Sequence, residues 1–158
     1  MLKHFWLCDV GILYLTDIMG KEITHPIRIG TEKIKFELEL ELKSSTAILY
    51  NMISTPSGLS DWFADNVNIK DDLYTFIWSG SEEQARLLGK KKNESIRFQW
   101  LEDEEEGLDT WFELAIRVDE LTKDVALIVT DFADKEELEE AKMLWQNLVS
   151  DLKMTIGS

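Results

Sequence analysis

The chain has 158 residues, of which 44% are hydrophobic and 30% are charged. This balance is typical of one folded domain with a substantial core and argues against a disordered chain. The formal net charge of −14 predicts that the protein does not bind nucleic acids or anionic membrane surfaces, because a surface of this sign repels phosphate groups.

The N-terminal segment, residues 1–18, is apolar after a short basic start, a pattern that partly resembles a secretory signal. Asp9 and Asp17 interrupt the apolar run, and no cleavage site of small residues follows it. We expect Met19 or a later residue to be the working start of the protein. The alternatives are that residues 1–18 form a docking segment or a poor signal peptide.

Two further features concern the compartment of the protein. No apolar run reaches the roughly 18 residues that cross a bilayer, which predicts no membrane span. Cys8 is the single cysteine, so the chain cannot form an intramolecular disulfide. Together these features predict a cytoplasmic protein.

Residues 1–32 are predicted to form an N-terminal extension, which is either not part of the native protein or disordered, and residues 33–158 a single domain. The domain begins with clear alternation, since apolar side chains occupy every second position from Ile34 to Leu42 and polar or charged residues lie between them. This period of two predicts a long strand with one buried face and one solvent-exposed, acidic face.

Two short helices are predicted after this strand. Ser44-Ser45-Thr46 offers hydroxyl groups that cap the start of a helix over residues 47–53. Residues 55–58, Thr-Pro-Ser-Gly, then force a break. Because proline suits the first turn of a helix, Pro56 favours a second short helix over residues 59–63.

The middle of the chain is rich in short strands. Alternation and turn signals predict strands over residues 66–69, 73–78, 83–91, 95–100, 111–118 and 125–132. The period is ambiguous in residues 83–91, which we assign as a strand from its neighbours. Residues 102–109 are predicted to form an acidic loop. Its run Asp103–Glu106 is a weak candidate for binding a divalent cation and is better explained as a solvated loop.

The basic residues of the domain are expected on its solvent-exposed surface. Arg97 and Arg117 alternate with the predicted buried residues of their strands, so their side chains should lie on the exposed face and pair with acidic strand residues. Arg86 could lie on either face. The one basic cluster, Lys90-Lys91-Lys92, is interpreted as a solvated strand edge or turn that deters edge-to-edge pairing.

The last segment, residues 134–158, has the period of one long amphipathic helix. Its apolar stripe consists of Leu138, Ala141, Leu144, Trp145, Leu148, Leu152 and Ile156. Such a stripe needs a partner surface, and the sheet is the largest one available. We therefore predict an α+β fold, in which a curved antiparallel sheet of six to seven strands wraps around a long C-terminal helix and two short helices follow the first strand.

Three motifs carry a family resemblance. They are residues 55–63 (TPSGLSDWF), 96–100 (IRFQW) and 145–152 (WQNLVSDL). With the order of elements, they make residues 33–157 resemble the START-like or SRPBCC superfamily of helix-grip proteins. Within it, the chain is most similar to the branch related to the C-terminal domain of activators of heat-shock-protein ATPase.

The chain also departs from that family. Many relatives carry a Gly-Gly turn where this chain has Asp71-Asp72, and many end the last strand with a histidine where this chain has Thr130-Asp131. The resemblance therefore implies the fold but not one ligand. The superfamily implies cavities for lipids, sterols, polyketides and plant hormones.

A cluster of large apolar side chains is predicted between the sheet and the C-terminal helix. We predict that these side chains line a cavity for a hydrophobic or amphipathic, lipid-like molecule; the alternative is that the same rings fill the core. The predicted cavity residues are Trp62, Phe63, Tyr74, Phe76, Trp78, Phe98, Trp100, Leu114, Leu127, Leu144, Trp145 and Leu148.

Catalytic chemistry has little support in the sequence. His4 and His25 both lie in the N-terminal extension, and the chain has no Cys/His metal spacing, Gly-rich phosphate loop or Gly-x-Ser-x-Gly elbow. We predict no catalytic residue, no cofactor and no metal. The favoured function is a non-enzymatic domain that binds a small apolar molecule, as a monomer or homodimer. The alternatives are a protein-interaction module of the heat-shock-protein ATPase activator type and, third, a polyketide-cyclase-like enzyme.

Overall fold

The structure, a computed structural model, describes residues 32–158, so the predictions for residues 1–31 lie outside the described part. Strand β1 (Lys33–Leu42) leads into helices α1 (Thr46–Ser54) and α2 (Pro56–Trp62). Five strands and a one-turn helix follow: β2 (Asn66–Lys70), β3 (Leu73–Trp78), β4 (Ser81–Lys91), β5 (Ser95–Trp100), α3 (Leu101–Glu105) and β6 (Phe112–Val118). Strand β7 (Val125–Asp134), a 3₁₀ turn (Lys135–Glu137) and the long helix α4 (Leu138–Ile156) complete the domain.

The described strands form one antiparallel sheet of seven, in the order β1-β7-β6-β5-β4-β3-β2. Strands β2 to β7 pair with their neighbours in the chain, whereas β1 pairs with β7 along its whole length. Helices α1 and α2 therefore carry the chain from one edge of the sheet to the other. These two helices and α4 pack against one face of the sheet, here called its inner face. This arrangement confirms the predicted α+β helix-grip fold.

The junction between α1 and α2 depends on Thr55. Its backbone is extended, which separates the two helices, and its hydroxyl accepts a hydrogen bond from the Gly58 N–H at 3.0 Å. The same hydroxyl donates to the Asn51 carbonyl at 2.8 Å. One side chain thus satisfies an orphan N–H at the start of α2 and adds a second hydrogen bond to the last turn of α1.

Replacing Thr55 by alanine is expected to lower the free energy of unfolding by about 1 kcal/mol, because both helix ends lose a hydrogen bond. Urea denaturation followed by circular dichroism measures the change. The exposed Ser57, on the first turn of α2, provides the control. Equal effects of Thr55→Ala and Ser57→Ala would contradict this role for Thr55.

The buried face of helix α4 is narrower than the apolar stripe that its sequence predicts. Leu138, Leu144, Leu148 and Ile156 are half-buried at the margins of the core. The fully buried positions are Ala141, Trp145, Val149 and Leu152. The predicted stripe omitted Val149, which lies one turn after Trp145 and completes the line of contact.

The predicted start of the closing helix, at Asp134, is wrong. Strand β7 runs on to Asp134, which pairs with Lys33, the first residue of β1, and forms an ion pair with its Nζ at 2.9 Å. This partner is far away in the sequence, so the periodicity of the helix could not reveal it. The α-helix itself begins at Leu138.

The predicted acidic loop over residues 102–109 is also partly wrong, because Leu101–Glu105 forms helix α3. The negative side chains of its first turn complement the positive end of the helix. Asp103 is buried, not solvated, and accepts a hydrogen bond from the Thr110 hydroxyl. Arg86 bridges Glu104 and Asp72, which fixes α3 against the outer side of the sheet.

Arg97 and Arg117 lie on the outer, solvent-exposed face of the sheet and form ion pairs there, as predicted. Arg97 binds Glu113 and Arg117 binds Glu39, each at 2.9 Å. The second pair spans strand β7, which lies between β1 and β6, across the positions of Ala126 and Ile128. None of the helices in residues 32–158 combines the length and hydropathy needed to cross a bilayer.

Candidate functional site

The structure brings all twelve predicted cavity residues to the inner face of the sheet. They belong to, or pack against, one hydrophobic cluster between the sheet, α1, α2 and α4. Leu144 and Leu148 are half-buried, and the other ten side chains are buried. The shared location follows from strand alternation and from the stripe on α4.

The rings of this cluster touch one another. Phe63 lies at its centre, with ring centroids 5.0 Å from Phe76 and 5.9 Å from Trp145. A second set of contacts joins Phe98 to Tyr74 at 4.8 Å and to Phe112 at 5.2 Å. These separations are those of directly packed aromatic side chains, so rings occupy the space between the sheet and α4.

Phe112 is the central residue that the sequence analysis missed. Its side chain is almost fully buried and contacts the rings of Phe63, Phe98, Trp100 and Trp145. The signal was present, because Phe112 shares the parity of Leu114 on β6. Leu114 was included in the predicted set and Phe112 was not.

Three of the four buried indoles of the cluster are tied to fixed acceptors. Trp62 Nε1 donates to the Met52 carbonyl at 2.8 Å, and Trp78 Nε1 donates to the Phe63 carbonyl at 3.0 Å. Trp145 Nε1 donates to Asp131 Oδ2, near the end of β7, at 2.9 Å. Buried polar groups held in this way resist rearrangement, so the three indoles fix the positions of the rings around them.

Like Asp131, Tyr74 is a titratable group of the inner face. Its hydroxyl donates to the Ser54 carbonyl at 3.3 Å, a long hydrogen bond. Burial raises the pKa of the Tyr74 phenol above its ordinary value of 10.0, and the nearby Tyr50 adds to this rise. The folded protein therefore keeps a proton that the unfolded chain loses near pH 10.

The stability of the protein is expected to fall as the pH rises above about 10, because the folded state then binds more protons than the unfolded state. Tyr74→Phe removes this proton and should flatten the decline, while the loss at neutral pH stays within about 1 kcal/mol. Urea unfolding of both proteins at neutral pH and at stepwise higher pH measures the difference. Parallel curves for wild type and Tyr74→Phe would contradict the assignment.

Two clefts of the described part lie outside this cluster. One, of about 300 Å³, is lined mainly by acidic residues at the start of β4 and in α3. The other, of about 660 Å³, crosses the outer face from the end of β4 to β6. Of the predicted cavity residues, Trp100 borders the first cleft and none borders the second.

The chemistry available in the described part is limited. Residues 32–158 contain neither histidine nor cysteine. No group of three or more acidic side chains within these residues is arranged to hold a metal ion. The weak cation candidate Asp103–Glu106 is divided by the fold, because Asp103 points inward to Thr110 whereas Glu104 faces Arg86.

Comparisons with known proteins define the class. A family model described as a START-like superfamily domain matches residues 30–158. The chain is 40% identical to BfR322 from Bacteroides fragilis, whose solution structure aligns with a TM-score of 0.58 over 78% of this chain and 91% of that one. No curated protein matches the chain. The chain therefore belongs to the START-like superfamily, as the motifs predicted.

More distant structures share only the fold. The Aha1 dimer from Colwellia psychrerythraea aligns at 14% identity, with a TM-score of 0.64, over 76% of this chain and 93% of that one. DynU16, a protein of the dynemicin biosynthetic locus, aligns at 9% identity, with a TM-score of 0.63, over 78% of this chain and 47% of that one. At these identities the likeness does not choose between a partner-binding and a cyclase-like role.

Proposed function

We propose that this START-like domain acts by binding a partner protein through its surface, without a catalytic step of its own. The observation that supports this function best is the filled interior. Phe63 and its neighbours contact one another across the space in which other helix-grip proteins would hold a ligand, and ligand sites are usually formed in advance. These contacts support the protein-interaction alternative over the ligand-binding function that the sequence favoured.

The charge of the surface adds support. A net charge of −14 generates a field that steers and selects partners by sign. The inner face, by contrast, offers mainly aromatic and aliphatic groups, and the polar side chains Tyr74 and Asp131 are engaged in hydrogen bonds. Recognition through the outer surface therefore needs no rearrangement of the core.

Affinity capture followed by reconstitution tests this function. The full chain is used as bait in extracts of its own host, and each enriched protein is then purified and titrated against it by calorimetry. We expect at least one purified protein to bind with defined stoichiometry. Sedimentation of the bait alone tests the predicted choice between monomer and homodimer. If no purified candidate binds, the proposed function is wrong.

A chaperone ATPase is a specific partner to include, because the motifs resemble the branch of heat-shock-protein ATPase activators. Its rate of ATP hydrolysis is measured with and without this protein. A change in rate that increases with the concentration of the domain supports that partner. An unchanged rate removes the chaperone from the candidates and leaves other protein partners in place.

Binding of an apolar molecule remains the second candidate, and one observation favours it. The seam between α4 and β1 is incompletely closed, since Leu38, Leu40, Leu144 and Leu148 are half-buried there. A fatty acid that enters along this seam would have to displace these side chains. Thermal-shift assays and quenching of tryptophan fluorescence with fatty acids and flavonoid-like compounds test this candidate, and a lack of response in both assays counts against it.

A further inference from the structure

Glu83 is an unusual residue of the inner face. It pairs with Phe76 across β3 and β4, so it shares the parity of the core residues, and only 8% of it is exposed. Carboxylates are seldom buried in a protein core, because burial removes the water that solvates the charge. Glu83 borders the smaller cleft, of about 300 Å³, which lies where β4 begins and β5 passes into α3. A charged group of the inner face is therefore adjacent to an opening at the surface.

The lining of this cleft, here called the acidic cleft, carries charge of one sign. Four glutamates border it, Glu82 and Glu83 on β4 and Glu102 and Glu105 on α3, and its other lining residues are uncharged. No lysine or arginine within residues 32–158 belongs to this lining. Arg86, further along β4, is held outside it by Asp72 and Glu104. The acidic cleft therefore favours an occupant of positive charge.

Trp100 gives the acidic cleft a second, independent feature. Its side chain is only 4% exposed, and its indole N–H forms no hydrogen bond with the residues that the structure describes, whereas the other three indoles of the cluster each have an acceptor. A nearly buried donor without an acceptor is uncommon, because it loses water without gaining another bond. Nε1 is not sealed inside the core, and Trp100 borders the cleft. The donor is therefore open to an acceptor that enters there.

These two features define the chemistry of the occupant. It carries a positive charge for the glutamates and an acceptor oxygen for the indole N–H. A metal ion provides no acceptor, and no group of three or more acidic side chains in the described part is arranged to hold one. An arginine within a protein chain provides both, since its guanidinium has five N–H donors and its backbone carbonyl accepts. Because the glutamates come from two elements, a planar guanidinium suits them better than the compact ammonium group of lysine.

We propose that the acidic cleft binds an arginine side chain of the partner protein. The guanidinium lies between the glutamates of β4 and those of α3, and the adjacent backbone carbonyl of the partner accepts a hydrogen bond from Trp100 Nε1. This inference rests on the proposed function and names the group of the partner that is recognised. The solubility of an acidic surface accounts for the exposed Glu82 and Glu105, but not for the buried Glu83 or the open donor of Trp100.

Nuclear magnetic resonance titration tests the inference. The isotope-labelled full chain is titrated with a short peptide, blocked at both ends, that has one central arginine among glycines and serines. A second peptide carries citrulline, which has nearly the same shape without the charge, in place of arginine. We expect the arginine peptide to shift the amides of residues 81–85 and 100–105 and the indole resonance of Trp100, but not that of Trp145. The citrulline peptide should bind about tenfold more weakly or worse.

Three variants assign the contacts. Glu105→Lys reverses an exposed charge on α3 and should weaken binding of the arginine peptide by about tenfold or more. Glu120→Lys makes the same change in the exposed turn between β6 and β7, at the opposite end of the sheet, and should leave the affinity unchanged. Trp100→Phe keeps a ring but removes the donor, and should weaken binding about fivefold, the equivalent of one hydrogen bond. Its unfolding midpoint is measured in parallel; if it does not fold, Glu105→Lys and the Trp100 indole resonance decide.

Four results would overturn the assignment of the acidic cleft. They are equal binding of the citrulline peptide, equal binding by Glu105→Lys, an unchanged Trp100 indole resonance, and shifts at these residues caused by Ca²⁺ with no effect of the arginine peptide. If a purified partner binds the wild type, Glu105→Lys and Trp100→Phe equally, the assignment fails while the proposed function stands. If no purified partner binds, both fail.

Discussion

Replacing Gly58 by alanine is expected to lower the free energy of unfolding by about 3 kcal/mol, the upper part of the range for overpacked sites. Gly58 lies in the first turn of α2, where this helix crosses α1. A Cβ atom at this position would overlap the Asn51 carbonyl oxygen and would lie 2.6 Å from Met52 Cα. Both neighbours are backbone atoms, so α1 and α2 must separate and the contacts of Trp62 and Phe63 must shift with them.

Chemical denaturation of Gly58→Ala against wild type measures this loss. Gly89→Ala is the matched control, because it makes the same change where the added atom meets nothing within 4 Å. It should be neutral or slightly stabilising, since alanine loses less backbone entropy than glycine on folding. If the two variants unfold at the same denaturant concentration, the close approach of α1 and α2 is wrong.

Trp145→Ala is expected to destabilise the protein by about 4 kcal/mol. The side chain is fully buried in α4, stacks on Phe63 and donates to Asp131. Truncation to alanine removes its packing and leaves a cavity between α4 and the sheet. The hydrogen bond that joins α4 to the end of β7 is lost as well.

Two further variants separate these contributions. Trp145→Phe keeps an aromatic ring but removes the indole N–H. It should lower the free energy of unfolding by less than half as much as the alanine substitution does. Trp111→Ala removes a tryptophan from the outer face, where it contacts Arg97 and Phe132, and should cost about 1 kcal/mol. If Trp145→Ala were no more harmful than Trp111→Ala, the filled interior would not be the main source of stability.

The fold could be predicted because its signals are local. The alternation of β1 and the stripe of α4 each indicate an element and its buried face. The ambiguous period of residues 83–91 also has a physical cause, since the bulge at Leu88 reverses the parity of the strand halfway along β4. A single extra residue is enough to hide the pattern of a strand from an alternation test.

The errors arose where a distant partner decides the structure. Asp134 stays in β7 because Lys33 pairs with it across the sheet. Asp103 is buried because Thr110 binds it, although its neighbours suggest a solvated run. Neither partner is marked by the pattern of the surrounding residues.

The candidate site was predictable only in part. Strand parity places Phe76, Phe98 and Leu114 on one face, and the structure agrees. Parity does not determine whether the opposing side chains touch, because that depends on the curvature of the sheet and the depth of α4. The contacts of Phe63 and Phe112, which close the interior, arise from that curvature.

Native mass spectrometry of the protein isolated from its own host, with extraction and identification of any bound molecule, tests directly whether the interior is filled. Because aromatic side chains occupy the space between the sheet and α4, we expect a mass equal to that of the polypeptide and no apolar metabolite in the extract. A reproducible additional mass that extraction assigns to an apolar metabolite would contradict this expectation, and would restore ligand binding as the function of the domain.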